Sequence, residues 1–417
     1  MRKLILLVAV VAVAFLLLQV NGYAAPAALP KPVKESGAGK LYDAGGIKLV
    51  VLSGTFNEMG KQYGALLGDK ISALYETAIN EAFIKKGLFT QEELDAFADN
   101  TFKTMPMRQK ELVRGMAQAS GLSRQKIILA GDVVMVQVLA RKKYGGNVTS
   151  CSSAAAWGKY TVDGKVLTAR NYDFPDLFRS LVKDYGLIVV YKPSDGSNSV
   201  AGVGITGGIS FIDALTDKGI YVEVNNGVDS AGFVLFNSRT QAMAQLMNLL
   251  FDADDAQEFY NLASGTRFSY SFILMVADAS SASFYEIAPW DMRKREAKDI
   301  TAIAAANQFD DPSWGILSLP SPAVWYSSLR ESIMLNFAKS GPAGGVDEKY
   351  MMSVLDIPFF NEDGTLGKGA AVLKKNPKDD EVTVWQVITR PADLKMWVRM
   401  PTLTGWVFVD LKKWLEE

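Results

Sequence analysis

Histidine is absent from all 417 residues, and cysteine occurs once, at position 151. Without an imidazole, neither a Ser-His-Asp triad nor a Cys-His pair can be assembled. One cysteine closes no intramolecular disulfide, and one thiolate without histidine cannot complete the usual zinc cage. Long runs of like charge are missing too: 44 basic residues face 45 acidic ones, for a formal charge of -1. That balance leaves no electrostatic footprint for nucleic acid or an acidic membrane surface. No internal repeat and no phosphate loop is found. The glycine-rich Gly202–Gly208 lacks the spacing of a nucleotide fingerprint and reads as a bulged strand or turn near a site. No cofactor and no metal is expected, and a neutral small-molecule substrate fits the charge best.

Cys151 is then either an inert core thiol or a nucleophile, and a nucleophile needs a base. One solution requires no histidine. Cutting the chain just before the nucleophile frees an α-amino group whose ordinary pKa of roughly 7.7–8 suits it to that role. If Cys151 works, it is expected to work as a new N-terminus, after cleavage of the Ser150–Cys151 bond.

A content of 49% hydrophobic residues is enough for one large core or two ordinary ones. Met1–Ala25 has a basic start (Arg2, Lys3), an apolar run from Leu4 to Leu18, and small residues from Gly22 to Ala25. This is the pattern of a secretory signal peptide, and the run falls short of the roughly 20 residues that span a bilayer. No cysteine follows it, which disfavours a lipid anchor. The expectation is an exported periplasmic or extracellular protein with no stable membrane insertion after signal removal. Asn147-Val148-Thr149 matches a glycosylation sequon without other support.

Ala24–Gly39 reads as a tether, and Gly46–Ser53 as the first strand. Helices follow. Asn57 is the expected cap of the first, Thr90 and Glu93 form a capping box for Gln91–Met105, another covers Met107–Ser120, and Ser123 caps one running to about Arg141. Gly145-Gly146-Asn147 marks a break, beyond which short strands dominate. Cys151–Tyr160 and Lys165–Tyr172 flank Val162-Asp163-Gly164, a hairpin signal. Further strands are expected at 185–191, 199–205, 209–214, 219–224, 271–276, 283–287, 301–307, 382–389, 396–400 and 406–409. Helices are expected near 239–251, 256–263, 327–339 and 348–355. Strand blocks alternating with helix pairs favour antiparallel sheets covered by helices, an α+β fold.

Arg170 and Asp173 lie 19 and 22 positions beyond Cys151, on the strand the hairpin returns beside it. A cation near the thiol favours thiolate, and a carboxylate near the α-ammonium can orient the amine. Spacing alone fits a surface ion pair and turn equally well.

Cys151-Ser-Ser-Ala-Ala-Ala-Trp-Gly158, Asp163-Gly164-Lys165 and Ala169-Arg-Asn-Tyr-Asp-Phe174 together resemble the segment that opens the mature chain of N-terminal-nucleophile (Ntn) amidohydrolases. The relatives are choloylglycine hydrolases, acid ceramidase and especially the isopenicillin N (penicillin) acyltransferase group. Gly54–Gly64 is similar to the acyltransferases' early Gly-x-x-x-Glu-x-Gly-x-x-x-Gly motif, and Arg114–Ser123 to the stretch before their nucleophile. The resemblance implies a four-layer αββα sandwich, with a signal peptide over 1–25, a tether, strand and helical pro-segment over 26–150, and a catalytic core over 151–417. It implies Cys151 as nucleophile and base, Asp173 on its amine and Arg170 beside the thiolate. Lys218–Asn226 resembles the strand ending in the oxyanion-hole Asn, which is Asn225 or, almost as well, Asn226. Ala304–Asn307 is similar to the strand whose Asn, here Asn307, holds the amine or supports the oxyanion. Ser318-Leu319-Pro320 followed by Ser328-Leu329-Arg330 resembles the segment supplying a buried Arg, Arg330. Several relatives cut at Gly-Cys, whereas Ser150 stands here. Linear amides are the implied substrates, with water or an amine as acyl acceptor. The two processed segments are expected to stay associated, and a homo-oligomer is left open.

Two other readings need no Ntn chemistry. Ser123-Arg-Gln-Lys126 fits the Ser-x-x-Lys of a penicillin-recognising serine hydrolase and Lys339-Ser-Gly341 its strand motif, although Ser123 fits an N-cap and Lys339 a last helical turn. A catalytically silent secreted binding protein on the same fold is the other.

Overall fold

The computed structural model describes residues 30–144, 150–232, 239–298, 300–316, 323–356 and 381–416. The leader, the Gly145-Gly146-Asn147 break with its sequon, and Ser318–Pro320 lie outside them. No helix among the described residues is long and apolar enough to cross a membrane.

The chain before Cys151 starts with three strands, β1 (Lys34–Ser36), β2 (Gly39–Ala44) and β3 (Ile47–Gly54). The expected tether is therefore shorter, because Gly37 takes a φ of 58° and turns its end into a hairpin. Five helices follow: α1 (Phe56–Leu74, continuing as a π-helix over Tyr75–Ile84), α2 (Gln91–Thr104), α3 (Met107–Ser120), α4 (Arg124–Gly131) and α5 (Val133–Tyr144). The cap of α1 is Thr55, not Asn57, with Glu58 completing a capping box; Thr90 with Glu93 does the same for α2. Ser123 caps α4 as expected. The single helix expected to reach Arg141 is divided at Asp132.

The close fit of α1 on α3 explains the early glycine motif. A Cβ on Gly60 would lie 2.2 Å from the Leu112 carbonyl oxygen, one on Gly64 2.5 Å from that of Met116, and one on Gly115 2.2 Å from that of Asn57. Gly60→Ala is expected to cost about 1–3 kcal/mol by forcing the helices apart. Thermal unfolding should show it as a Tm several degrees lower, with exposed Lys61→Ala as the near-neutral control.

Two sheets follow from β4 (Ser150–Ala156), β5 (Leu167–Pro175), β6 (Gly186–Pro193), β7 (Val200–Ile205), β8 (Asp213–Thr216), β9 (Tyr221–Asn226), β10 (Phe272–Ala277), β11 (Ala282–Ile287), β12 (Met292–Glu296), β13 (Ala302–Ala305), β14 (Glu381–Arg390), β15 (Lys395–Arg399) and β16 (Trp406–Asp410). One has ten strands in the order β1-β2-β3-β6-β7-β8-β9-β10-β11-β12, the other six in the order β13-β4-β5-β14-β15-β16. β3 pairs with β6 in parallel, so strands on either side of Cys151 share one sheet. The other pairings are antiparallel. Between β5 and β6 lies α6 (Asp176–Tyr185), which the sequence reading passed over although Phe178, Leu181, Val182 and Tyr185 have helical spacing. The polar edge strand β12, Met-Arg-Lys-Arg-Glu, was also passed over, because it lacks an apolar face.

Further helices are α7 (Ala242–Asp252), α8 (Ala256–Ser264), α9 (Ala323–Lys339) and α10 (Glu348–Leu355). Period-two alternation assigns the faces. Ala154, Ala156, Leu167, Ala169, Ala302 and Ala304 turn outward to a core with Met334, Ala338, Met351 and Leu355 of α9 and α10. Cys151, Ser153, Arg170 and Tyr172 turn inward, and Arg170 reaches β8 and β9 of the other sheet. With α1 on β2 and β3, the layers are helix, sheet, sheet, helix, as the α+β expectation has it.

The β4–β5 hairpin differs in detail. Its strands end at Ala156 and Leu167, and a 3-10 turn over Gly158–Tyr160 stands before Val162-Asp163-Gly164. Likewise β8 begins only at Asp213, because Gly208–Ile212 form a loop that tucks Phe211 against Gly202 and Gly204.

Candidate active site

The hairpin register sets Cys151 opposite Tyr172, Ser153 opposite Arg170 and Ser150 opposite Asp173. Arg170 is fully buried, and its Nη2 lies 3.6 Å from the Cys151 Sγ and 2.5 Å from the Val224 carbonyl oxygen. Its Nη1 donates to Asp213, and its Nε stands 3.9 Å from Glu223. Burying a guanidinium requires such partners, and two carboxylates meet one cation here. Burial pushes Glu223 up to about 8, while Asp213 takes the direct ion pair. The hydroxyl of Tyr221 and the indole Nε1 of Trp385 also donate to Asp213, at 3.1 and 2.8 Å. Burial likewise pushes the Cys151 thiol up to about 11, against the pull of Arg170 and the backbone N–H of Asp173.

The backbone nitrogen of Cys151 is held as well. It donates to Asn307 Oδ1 at 2.6 Å, and Asn307 is fixed in turn by Arg330 Nη2 (3.0 Å), by its own Nδ2 on the Asn226 carbonyl (3.0 Å) and by the Ser327 hydroxyl on its N–H (2.8 Å). Arg330 Nη1 donates to the Cys151 carbonyl. The contact with the Cys151 nitrogen corresponds to one of the two roles left open for Asn307.

Asp173 is fully buried; the Thr383 hydroxyl donates to its Oδ1 at 2.6 Å, its Oδ2 has no hydrogen-bond partner among the described residues, and burial pushes it up to about 6. The register slip between Thr383 and Trp385 on β14 lets Thr383 reach Asp173 while Trp385 reaches Asp213.

Asn225 and Asn226, adjacent on β9, have different surroundings. Asn225 is fully buried and spends its Nδ2 on the Ser153 hydroxyl at 2.6 Å. Asn226 lines the cavity at Cys151, and its Nδ2 has no hydrogen-bond partner among the described residues. That cavity, about 40 Å³, is otherwise apolar, walled by Val134, Met135, Val138, Tyr172, Phe174 and Tyr270 among others. Sequence reasoning missed Asp213, Glu223, Thr383 and Trp385; the only signal for the two acids was a charge within otherwise apolar short strands.

Ser123 and Lys126 form no catalytic pair. Ser123 is an exposed cap accepting from the Lys126 backbone N–H at 3.2 Å, and the Lys126 ammonium turns to Glu76.

No family model matches the chain, and no curated protein does. Among solved structures it is similar to an N-acylethanolamine-hydrolyzing acid amidase ortholog from Caenorhabditis elegans, at 14% identity and a TM-score of 0.40 over 58% of this chain and 93% of that one. It is similar to penicillin V acylase from Agrobacterium tumefaciens, at 14% identity and 0.41 over 63% and 87%. It is also similar to a variant of the conjugated bile acid hydrolase from Clostridium perfringens, at 9% identity and 0.39 over 63% and 93%.

Proposed function

We propose that this protein is an autoprocessing cysteine amidohydrolase of the Ntn type that cleaves linear amides through a thioester on Cys151. The observation that carries the reading is that both reactive ends of one residue are held by buried side chains: the Cys151 nitrogen by Asn307 at 2.6 Å and its Sγ by Arg170 at 3.6 Å. A structural core thiol needs neither.

In processing, the Cys151 thiol attacks the Ser150 carbonyl carbon, the acyl group moves from nitrogen to sulfur, and water hydrolyses the thioester. The products are a Ser150 carboxylate and a free Cys151 amine. The amine stays on Asn307 and gains Asp173, whose unpaired Oδ2 accepts from the ammonium. In turnover the neutral amine takes the thiol proton, and the thiolate beside Arg170 attacks the substrate carbonyl carbon. The oxyanion accepts from Asn226 Nδ2, the ammonium returns its proton to the departing amine, and water releases the acid. An amine in place of water gives acyl transfer, the chemistry of the isopenicillin N acyltransferase group. Asn226, unlike Asn225, lines the cavity and has an Nδ2 unpaired among the described residues, which favours it as the oxyanion donor. The pairing of β3 with β6 keeps the segment before Cys151 attached after cleavage. Met1–Ala25 directs the protein out of the cytoplasm, to the periplasm or beyond.

The reading is tested with a panel of N-acyl amino acids, bile-salt conjugates, acyl-homoserine lactones and penicillins. At least one amide should be turned over by the processed protein and none by an unprocessed chain; turnover by the unprocessed chain contradicts it. Because the base must be neutral, kcat/KM is expected to fall about tenfold per pH unit below roughly pH 7 and to level off above roughly pH 8. Cys151→Ser should keep that limb, because the amine sets it. A limb that moves with the side chain would assign it to the thiol instead.

A further inference from the structure

The break between α4 and α5 puts an ionisable side chain where the Cys151 chemistry does not use it. An Asp between two helices ordinarily caps the second. Asp132 does so only with its backbone carbonyl, which accepts from the N–H groups of Met135 and Val136. The residue is 5% exposed, its Oδ2 has no hydrogen-bond partner among the described residues, and it lines a cavity of about 60 Å³. Burial pushes the carboxyl up to about 7.

The surrounding backbone is shaped to hold it there. A Cβ on Gly131 would meet the Gly207 carbonyl oxygen at 2.3 Å, so the end of α4 sits directly on the glycine-rich turn. A Cβ on Gly202 would enter the ring of Phe211, another wall of the cavity. This gives the Gly202–Gly208 stretch a purpose that nucleotide spacing did not.

A second unpaired polar atom lines the same cavity. Gln241 is 2% exposed; its Oε1 accepts from the Ala244 N–H at 2.7 Å, and its Nε2 has no partner among the described residues. Buried polar groups are nearly always hydrogen-bonded, so an acceptor and a donor both unpaired among the described residues mark this cavity as a polar subsite. Val134, Met135, Ile212 and Tyr270 line both this cavity and the one at Cys151.

We infer that this cavity is the far end of the acyl subsite, and that Asp132 and Gln241 select an acyl group bearing a terminal hydroxyl. The inference rests on Cys151 being the nucleophile. A hydroxyl can donate to Asp132 Oδ2 and accept from Gln241 Nε2, satisfying both. An ammonium leaves the Gln241 N–H unpaired, a carboxylate abuts Asp132, and a plain alkyl end leaves both unpaired. Cavities of about 60 and 40 Å³ hold roughly eight non-hydrogen atoms together, which sets a short chain. Asp132 precedes Cys151 in the chain, so the selectivity comes from the segment that processing separates.

The test is binding of 6-hydroxyhexanamide and hexanamide by calorimetry, and kcat/KM for matched N-(6-hydroxyhexanoyl) and N-hexanoyl amides. Wild-type protein should prefer the hydroxylated compound about tenfold in both. Asp132→Asn, which keeps an acceptor, should retain most of the preference, and Asp132→Ala should bring the ratio close to one. Equal binding of the two amides by wild-type protein, or an undiminished ratio in Asp132→Ala, overturns the inference. A binding preference without turnover of any amide leaves the subsite standing and overturns the catalytic reading; turnover without a preference does the reverse.

Discussion

Cys151→Ala is expected to leave the chain uncut at position 151 and turnover at background, measured by gel mobility and amide hydrolysis. The reason is one of supply. No second cysteine and no histidine exists to take over either role. The hydroxyls that follow it on the strand, Ser152 and Ser153, are buried; Ser153 is engaged by Asn225, and neither would carry the amine that Asn307 holds. A folded Cys151→Ala protein with unchanged Tm separates lost chemistry from lost structure. Cys151→Ser should be slower in both processing and turnover, since a hydroxyl is the poorer nucleophile. Processing at 151, or amide turnover, in Cys151→Ala would contradict the mechanism.

Asn226→Ala has the next largest expected effect, a fall in kcat of about 10²–10³ with little change in KM, the size expected for removing one oxyanion donor. Asn226 lines the cavity and its Nδ2 is unpaired among the described residues, so in the resting protein the side chain's one hydrogen bond to lose is the Val228 N–H on its Oδ1 at 3.3 Å. Asn225→Ala should instead leave the buried Ser153 hydroxyl without its partner and cost about 1–3 kcal/mol of stability, with a smaller effect on kcat. Steady-state kinetics and thermal unfolding on both variants decide between them. A large kcat loss in Asn225→Ala, with Asn226→Ala near wild type, would return the oxyanion role to Asn225.

The architecture was legible where it depends on short-range signals. The return of Arg170 to Cys151 follows from one hairpin, and the capping box at Thr90 and the cap at Ser123 follow from local side-chain chemistry. What could not be read depends on how two sheets face each other. Asp213 and Glu223 reach Arg170 across the inter-sheet space, and nothing near them in sequence points to a cation on β5. The bulge at Thr383 and Trp385 is a one-residue slip that an apolar strand pattern conceals. The choice between Asn225 and Asn226 stayed open in the sequence for a related reason, since adjacent residues at a strand end take opposite sides and the sequence does not say which side holds the cavity. Asp132 stood in a segment with continuous helical character, and only the contact of Gly131 with Gly207 shows why the helix stops there.

The central claim is that the α-amine of Cys151 is the catalytic base, and intact mass spectrometry with N-terminal sequencing of the active protein tests it most directly. The account predicts two co-purifying chains, the second beginning Cys151-Ser152-Ser153. An active protein in which the Ser150–Cys151 bond is intact would contradict it.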